Sequence, residues 1–309
     1  MSTFFLVVCL NPTLQKTLRL GRLVPGQVNR ARSHRLDASG KGVNTTRILH
    51  QLGERAVHLT HGGGSSLATF MDLASGDGLD VRCVEGDLEI RHCYTLLDEH
   101  ERSATEIVEP GWPVPDGLET AVRSRYAELV SNAHTVIITG SKAPGFSGDL
   151  YPDFVREARS EGDEGRGARI LLDIRGDDLV SALPHRPSLV KINVNEFSAT
   201  FLEEPLPEEI RPEAMPAALA QKMVDVAASW NCELVITNGS QPVMWCDGTR
   251  VRTIAPASVE PVNTIGSGDA MTAGIAAGLR RGAPIREAIE LGLDCARRNV
   301  VNEKPGTLL

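Results

Sequence analysis

The feature that most constrains the fold is a series of short apolar segments that alternates with segments of helical periodicity. Each short segment is apolar at successive residues, which is typical of strands buried on both faces of a parallel sheet. The predicted strands are Phe4–Leu10, Ala56–Thr60, Thr135–Thr139, Ile170–Ile174, Leu189–Asn193 and Leu234–Thr237. The predicted helices are Val43–Leu52, Leu118–Ser131, Asp149–Glu161, Pro216–Trp230, Asp269–Arg281 and Pro284–Asn302. This alternation predicts an α/β fold with a doubly wound, mainly parallel sheet.

Two regions, residues 12–37 and 88–110, depart from this pattern. Both alternate apolar and polar residues, and Ile90–Leu97 and Ala104–Val108 flank a polar connection as the strands of a hairpin do. Such strands have two different faces rather than two buried ones. We expect them to form a small antiparallel β lid on the α/β body of a single domain that spans residues 1–309.

The composition narrows the function classes. The chain has 309 residues and a formal net charge of -8, which argues against a general nucleic-acid binder. The segment from Lys16 to Arg47 nevertheless holds eight Lys or Arg residues against one acid, which suits an anionic ligand or a solvated basic face.

The six cysteines lack a Cys-x-x-Cys spacing, and Phe4–Leu10 is too short for a membrane helix. We therefore expect a cytoplasmic protein with reduced thiols and without a membrane or nucleic-acid partner.

The first candidate for chemistry is the turn Gly266-Ser267-Gly268-Asp269, which opens a helix of small residues. Free backbone N–H groups and the positive end of a helix together favour an anion. A carboxylate at that point can accept a hydroxyl proton while the oxygen attacks a phosphoryl group. The same residues also fit a simpler role, in which Asp269 only caps the helix.

Three further segments have the composition of ligand-binding turns. Gly40-Lys41-Gly42-Val43-Asn44 opens another helix and suits an oxyanion or sugar hydroxyls. Gly140-Ser141 follows an apolar strand, where ligands bind in open α/β sheets. Lys191-Ile192-Asn193-Val194-Asn195-Glu196 lies at another strand end, and its Asn and Glu oxygens suit Mg²⁺ through water. Taken alone, each segment also fits a simpler structure: a plain turn for the first two, and a helix with an acidic first turn for the third.

Taken in their order along the chain, these segments resemble the phosphofructokinase B branch of the ribokinase-like carbohydrate kinases, in particular the 1-phosphofructokinase and tagatose-6-phosphate kinase group. The resemblance runs from Leu10 to about Gly306. The matching pieces are Leu10-Asn11-Pro12, Val28-Asn29-Arg30, Gly40-Lys41-Gly42-Val43-Asn44, Thr105-Glu106, Glu109-Pro110-Gly111, Gly140-Ser141, Asp173-Ile174-Arg175-Gly176, Asn193 with Glu196, and Gly266 with Gly268-Asp269. The resemblance implies a ribokinase-like fold and transfer of the γ-phosphate of ATP to a sugar hydroxyl.

The resemblance also implies a role for each matching residue. Asp269 would be the general base, and the backbone of Gly266, Ser267 and Gly268 would complete an anion hole with it. Glu196 with Asn193 would organise Mg²⁺. The residues implied near the nucleotide are Lys191, Asn193, Thr237 and Gly239. Those implied for the sugar or its phosphate are Gln15, Asn29, Gly40, Lys41, Asn44, Arg91 and Ser141.

Beyond the site residues, the resemblance implies three further features. The lid sheet would close over the sugar and exclude water. A monovalent cation would lie near the anion hole. A homodimer would form through the lid sheet.

Several positions depart from the family pattern. Gln15 stands where the family usually has Asp, Ser39 where it has Gly, Ser267 where it has Ala, and Pro242 about where it has a nucleotide-loop Gly; Lys142-Ala143 replaces Leu-Pro. An amide donates as well as accepts, so Gln15 leaves the substrate open. The acceptor is a ketohexose phosphate (fructose 1-phosphate, tagatose 6-phosphate or fructose 6-phosphate), or an unphosphorylated sugar or other small alcohol. A non-catalytic sugar-phosphate or nucleotide sensor on the same fold is the third alternative.

Overall fold

The computed structural model describes residues 3–165 and 167–308. The strands are β1 Phe4–Val8, β2 Thr13–Leu20, β3 Ser33–Ser39, β4 Ala56–Gly62, β5 Asp80–Glu85, β6 Arg91–Asp98, β7 Ser103–Val108, β8 Ala133–Thr139, β9 Arg169–Asp173, β10 Leu189–Asn193, β11 Glu233–Thr237, β12 Val243–Cys246 and β13 Val251–Ile254. The helices are α1 Lys41–Gln51, α2 Leu67–Gly76, α3 Leu118–Val130, α4 Leu150–Gly165, α5 Gly176–Ala182, α6 Val194–Phe201, α7 Ala217–Trp230, α8 Ser267–Arg280 and α9 Ile285–Val300.

The chain divides into two compact units. Unit 1 comprises Met1–Leu6, Arg123–Ser141 and Ser147–Ser258. Its strands follow the order β13-β12-β11-β10-β9-β8-β1, of which β1 contributes only residues 4–6 to this unit. Strands β8 to β11 are parallel, whereas β12 and β13 add antiparallel pairs at the edge. The central strands are built from Val, Ile and Leu residues that are almost fully buried, as their apolar sequences predict.

Unit 2 comprises Val7–Val122, Lys142–Phe146 and Val259–Leu309. It contains Val7 and Val8 of β1 and the strands β4 and β5, and β4 pairs with β5 in parallel. Helices α8 and α9 pack closely because glycines line their contact: a Cβ on Gly274 would lie 2.7 Å from Gly292 Cα. This contact fixes the axis of α8 and, with it, the position of the glycine turn from which α8 begins.

The small sheet also lies in unit 2 and has the order β3-β2-β6-β7. Its β2–β3 and β6–β7 pairs are antiparallel, as predicted, while the central β2–β6 pair is parallel. The parallel pair arises because β2 and β6 come from two hairpins that are far apart in the chain, and turn chemistry fixes the direction only within each hairpin.

The predicted fold class is confirmed: the protein is an α/β protein with a large, mainly parallel sheet and a small second sheet. The contacts divide the chain into two compact units, and the single domain over residues 1–309 stays a prediction. None of the helices in the described part of the chain has the length and apolar character needed to cross a membrane.

Candidate active site

The glycine turn before α8 presents Asp269 in the first helical turn. Gly266 occupies the N-cap position with φ +80, a left-handed conformation that favours glycine. A Cβ on Gly266 would also lie 3.0 Å from Pro305 Cβ, so the neighbouring chain leaves little room for a side chain. Asp269 is only 6% exposed. A buried carboxylate is stabilised there by the positive end of α8.

The second glycine turn leads to the same carboxylate. Gly40 is the N-cap of α1 with φ +101, and Asn44 follows in the first turn of that helix. Asn44 Nδ2 donates to Asp269 Oδ2 at 2.9 Å, and α1 packs against α8. The structure therefore brings together two predicted site residues that lie 225 positions apart in the sequence.

Ser39, one of the departures from the family pattern, has a partner in this network. Its Oγ donates to Asn44 Oδ1 at 3.3 Å, and the residue is 2% exposed. The hydroxyl thus holds the side of Asn44 opposite Asp269. Arg47 contacts the same oxygen at 3.2 Å. Sequence reasoning missed Arg47, although it lies one helical turn after Asn44, on the same side of α1.

The polar face of the small sheet continues from this network. Thr13, Gln15 and Thr17 share a face of β2 because they are alternate residues, and Ser39 is the register partner of Thr13. Gln15 is 2% exposed, and its Nε2 donates to Thr95 Oγ1 at 2.7 Å. Thr95 was not predicted, because its threonine hydroxyl matters only through the pairing of β2 with β6.

Among the other residues predicted for the sugar phosphate, Arg91 has spare hydrogen-bonding capacity. Arg91 Nη1 donates to the Glu109 carbonyl at 3.0 Å, and its buried Nε has no partner in the described structure. Burial raises the pKa of the nearby Glu106, and the charge of Arg91 opposes that rise. An unpaired guanidinium N–H that is shielded from water is costly unless a ligand satisfies it.

The other three residues predicted for the sugar or its phosphate, Asn29, Lys41 and Ser141, differ from Arg91 in their contacts and burial. Asn29 uses its amide within its own loop: it accepts from Val24 N at 2.8 Å and donates to the carbonyls of Val24 and Gln27. Lys41 is the first residue of α1 and is half-buried. Ser141 is exposed and belongs to unit 1, whereas the other predicted sugar-side residues belong to unit 2.

The residues predicted for the nucleotide lie in unit 1 at the carboxyl ends of two parallel strands. Asn193 ends β10 and Thr237 ends β11, and the two are register partners. Lys191 is 4% exposed and its Nζ donates to Asp173 Oδ2 at 3.2 Å. Gly239 follows β11 with φ +56. Strand register therefore sets Asn193 and Thr237 side by side.

Asn193 and Glu196 form a capping box at the start of α6. Asn193 Oδ1 accepts from Glu196 N at 2.7 Å, and Glu196 Oε2 accepts from Asn193 N at 3.4 Å. Arg175 Nη1 lies 3.7 Å from Glu196 Oε1. Asn193 and Glu196 thus do cap the start of a helix, as the simpler interpretation of this segment predicts. A carboxylate has about four acceptor positions, so the capping role does not exclude a metal-bound water.

Sequence reasoning also missed a carboxylate beside the loop after β11. Glu209 Oε1 accepts from Ser240 Oγ at 2.6 Å and from Gln241 Nε2 at 2.8 Å, and these hydrogen bonds lower the pKa of Glu209. Asn238 fixes the same region by bonding both the N–H and the carbonyl of Ile210. The loop with Pro242 is therefore braced by side chains, although Pro242 replaces a glycine of the family pattern.

The buried thiol of Cys9 is not a competing nucleophile. Cys9 is 3% exposed, and burial raises the pKa of its thiol, with a further upward contribution from Asp269. A thiol that keeps its proton is a weak nucleophile. Among the described residues, no group of three or more His, Cys, Asp or Glu side chains is arranged to hold a metal ion.

Comparison with known proteins agrees with this geometry. The family model described as "pfkB family carbohydrate kinase" matches residues 10–308. The 1-phosphofructokinase of Xanthomonas campestris pv. campestris is 29% identical over 301 residues, which are 96% of this chain and 89% of that protein. Phosphofructokinase-2 from Escherichia coli in complex with fructose-6-phosphate superposes with a TM-score of 0.83 at 22% identity, covering 97% of this chain and 94% of the other. The same enzyme in complex with potassium gives a TM-score of 0.83 at 22% identity, with 98% and 94% covered.

An α/β fold with an aspartate behind a glycine turn at a helix start, and a small polar-faced sheet beside it, defines a phosphotransferase that acts on an alcohol group of a sugar. The chain belongs to the pfkB family of carbohydrate kinases. Membership in this family implies ATP and Mg²⁺ as cofactors.

Proposed function

We propose that the protein transfers the γ-phosphate of ATP to a hydroxyl of a ketohexose phosphate, with Asp269 as general base. The observation that carries this proposal is the buried Asp269 carboxylate, which lies directly behind the Gly266 turn and has one oxygen held by Asn44. A fixed carboxylate beside an anion-binding helix start suits a reaction that depends on positioning and electrostatics.

In the proposed step, the acceptor hydroxyl gives its proton to Asp269. The oxygen of that hydroxyl forms a bond to the γ-phosphorus of ATP. At the same time the bond between the γ-phosphorus and the oxygen that bridges it to ADP breaks, and ADP leaves. The start of α8, from Gly266 to Asp269, stabilises the negative charge on the transferred group. The Asn44 hydrogen bond holds the carboxylate in one orientation, so the base does not need to rearrange before each turnover.

A phosphorylated sugar is supported by charge and by the relatives. Arg91 has a buried N–H without a partner in the described structure, and Lys41 begins α1 at the glycine turn. The turn also lies within the basic segment from Lys16 to Arg47, although Arg35 and Arg47 of that segment pair with Asp37 and Asp77. The Xanthomonas relative is a 1-phosphofructokinase, and the Escherichia coli structure holds fructose-6-phosphate. Gln15, Gly40 and Asn44 would hold the hydroxyls. Asn29 and Ser141 remain proposed contacts of the sugar phosphate.

Unit 1 would supply the nucleotide contacts, from Lys191, Asn193, Thr237 and Gly239. Asn193 and Glu196 fit Mg²⁺ through water, because a capping carboxylate with a side chain 14% exposed can still accept from metal-bound water. When bound, the ion would neutralise charge on the phosphates. The potassium complex of the Escherichia coli relative supports a monovalent cation near the anion hole.

A homodimer through the small sheet is supported by exposed apolar residues. Ile107 is 53% exposed and Val108 52%, both on β7, which is the last strand in the order of that sheet, and Val28 in the connection between β2 and β3 is 80% exposed. Exposed apolar residues on an edge strand favour pairing with a second copy. Light scattering of the wild type and of Ile107→Lys tests this: a dimer that becomes a monomer supports the contact, and an unchanged mass contradicts it.

The deciding experiment is a substrate panel with ATP and Mg²⁺ in which ADP release is measured. Ketohexose phosphates and matched free sugars are compared by kcat/KM. We expect the phosphates to be preferred. The amide of Gln15 favours the second candidate, a kinase of an unphosphorylated sugar or small alcohol, and a clear preference for free sugars would establish it. Tight ligand binding without ADP from any substrate would indicate a sensor.

A further inference from the structure

Arg47 is a buried arginine with a complete set of partners. It is 4% exposed, lies on α1 three residues after Asn44, and belongs to unit 2 with all of its partners. Its Nε donates to Asp77 Oδ2 at 2.9 Å, and Nη2 contacts the same oxygen at 2.9 Å. The other hydrogen bonds run from Nη2 to the Ala38 carbonyl at 2.7 Å, and from Nη1 to the Pro305 carbonyl at 2.8 Å and Asn44 Oδ1 at 3.2 Å. These five contacts match the five N–H donors of a guanidinium.

The contact with Asn44 decides which way the Asn44 amide points. A guanidinium donates hydrogen bonds and cannot accept them, so the atom that faces Arg47 must be the amide oxygen. The Asn44 nitrogen is then the atom that faces Asp269, at 2.9 Å from Oδ2. If the amide were reversed, an NH₂ group would face Arg47 and two oxygens would face each other at Asp269. Arg47 thus excludes the reversed orientation.

A second route leads from Arg47 to the glycine turn. Arg47 holds the Pro305 carbonyl, and the Pro305-Gly306 turn is packed between Gly266 and Asn44. A Cβ on Gly306 would lie 3.0 Å from both Arg47 Nη1 and Asn44 Cα. The turn is tied further by Asn299, which accepts from Gly306 N at 2.7 Å and donates to the Ile265 carbonyl at 3.0 Å. The position of Gly266 therefore depends on the chain segment that Arg47 holds.

The charge of Arg47 is balanced away from the base. Asp77 pairs with both Arg47 and Lys304, and these two cations lower the pKa of its carboxyl against the effect of burial. Lys304 also lies 3.6 Å from Asp37. A buried cation is tolerated only when it is paired and hydrogen-bonded. The ion pair satisfies that condition at Asp77, and the opposite side of the guanidinium contacts Asn44 and Pro305.

We propose that Arg47 is a positioning residue for phosphoryl transfer, which fixes the Asn44 amide against Asp269 and, through Pro305, the turn that carries Gly266. This inference rests on the proposed function, because it assigns a purpose to the orientation of Asp269. Arg47 itself contacts neither substrate nor the reacting atoms. Lysine cannot replace it, since an ammonium is a single point donor and cannot span Asp77, Ala38, Pro305 and Asn44.

The test compares Arg47→Lys with Asp77→Asn in the full chain. The Asp77 variant weakens the ion pair but keeps all contacts on the Asn44 and Pro305 side, so it serves as the stability control. We expect Arg47→Lys to lower kcat about 100-fold, the scale of a small misplacement of reacting groups. The KM for ATP should stay within about twofold of the wild-type value, because a change that affects only the positioning of the reacting groups does not alter ATP binding. Asp77→Asn should keep kcat within about threefold although its melting temperature falls.

A double variant separates positioning from simple loss of stability. If Arg47 acts through Asn44, the losses in kcat for Arg47→Lys and Asn44→Ala must be less than multiplicative in the combined variant. Multiplicative losses, or a kcat for Arg47→Lys within about threefold of wild type, would overturn the proposal. An Asp77→Asn variant that loses kcat as strongly as Arg47→Lys would overturn it too. Should Arg47→Lys not fold, Arg47→Gln assayed with a stabilising osmolyte gives the same comparison.

The outcome for Asp269 keeps this inference separate from the proposed function. Normal turnover of Asp269→Asn would remove the base assignment whatever Arg47 does. Loss of turnover in Asp269→Asn, together with normal turnover in Arg47→Lys, would leave the base assignment intact and refute only the positioning role.

Discussion

The residues proposed for the sugar and those proposed for the nucleotide are held in place by different means. In unit 2, Asp269 depends on contacts between segments that are far apart in the sequence: Asn44 lies 225 positions away, and Arg47 reaches Pro305 across 258 positions. In unit 1, the polar residues are held locally, by the capping box of Asn193 and Glu196 and by neighbouring parallel strands. Asp269 therefore depends on tertiary packing, and the residues proposed for the nucleotide depend on where strands and helices end.

This difference has an energetic consequence. A capping box involves one helix start and contributes on the order of 1 kcal/mol. The hydrogen-bond network around Asp269 joins α1, α8, the end of β3 and the chain after α9. A substitution at one residue of this network therefore changes the hydrogen bonds of the others. We expect substitutions near Asp269 to affect rate and stability together. Substitutions at the strand ends of unit 1 should affect ligand dependence with little effect on stability.

The largest effect is expected for Asp269→Asn, which tests the base directly. Asparagine is nearly isosteric and also caps helices, so the fold should remain. Loss of the proton acceptor should lower kcat by about 10²–10⁴-fold, measured as ADP release. Asp294→Asn, the same change at a half-buried carboxylate on α9 that pairs with Arg297, is the matched control and should leave kcat unchanged. Near-normal turnover of Asp269→Asn would contradict the assignment.

A smaller but still large effect is expected for Gly306→Ala. Gly306 has φ +74, and a Cβ would press on Asn44 Cα at 3.0 Å, so the change adds crowding beside the base to backbone strain. The control is Gly282→Ala, where φ is +82 but nothing lies within 4 Å of the added Cβ. Both should lose about 1–2 kcal/mol of unfolding free energy from strain.

Activity separates the two glycine variants. Of the two glycines, Gly306 is the one next to Asn44. The kcat of Gly306→Ala should therefore fall by about 10²-fold, while that of Gly282→Ala should not change. Thermal melts and ADP release measured on both proteins decide the matter. Equal kcat in the two variants would show that crowding at Asn44 does not reach the base.

The two regions also differ in how far the sequence predicts them. The apolar segments located β8 to β11 to within two residues, because strands buried on both faces leave an unambiguous pattern. Helix α2 and strand β5 were missed: β5 is only half-buried along its length, so its sequence lacks a clear period. The edge strands β12 and β13 were missed as well, since four residues are too few to show one.

Among the site residues, the glycine turns were predictable because the requirement for a left-handed backbone is local. Arg47 was not. Its importance lies in partners 30 and 258 residues away along the chain, and no local pattern distinguishes a buried arginine from a solvated one on the polar side of a helix. For the same reason, the hydrogen bond between Gln15 and Thr95 required the register of β2 and β6.

A third prediction tests the local character of unit 1. Glu196→Gln keeps the capping box, because glutamine serves at this position as glutamate does. The unfolding free energy should change by less than about 0.5 kcal/mol. If the carboxylate organises Mg²⁺ through water, the Mg²⁺ concentration for half-maximal ADP release should rise about 10-fold. An unchanged Mg²⁺ titration would leave Glu196 as a helix cap only.

The smallest effect is expected at the polar face of the small sheet, where two threonines provide a matched pair. Thr17 and Thr95 are register partners, and both are buried. The Thr95 hydroxyl accepts from Gln15 at 2.7 Å, whereas the Thr17 hydroxyl has no partner in the described structure. Replacing each with valine removes one hydroxyl and keeps the shape of the side chain.

Thr95→Val should free the Gln15 amide at a cost of about 1 kcal/mol, which corresponds to a rise of about fivefold in the KM for the sugar substrate. Thr17→Val should leave KM unchanged and be neutral or stabilising, because it removes an unsatisfied buried hydroxyl. Steady-state kinetics of both variants on the preferred substrate make the comparison. A KM that rises equally in both would mean that Gln15 is held by the packing of the sheet rather than by Thr95, and the tertiary network around Asp269 would then end at Ser39.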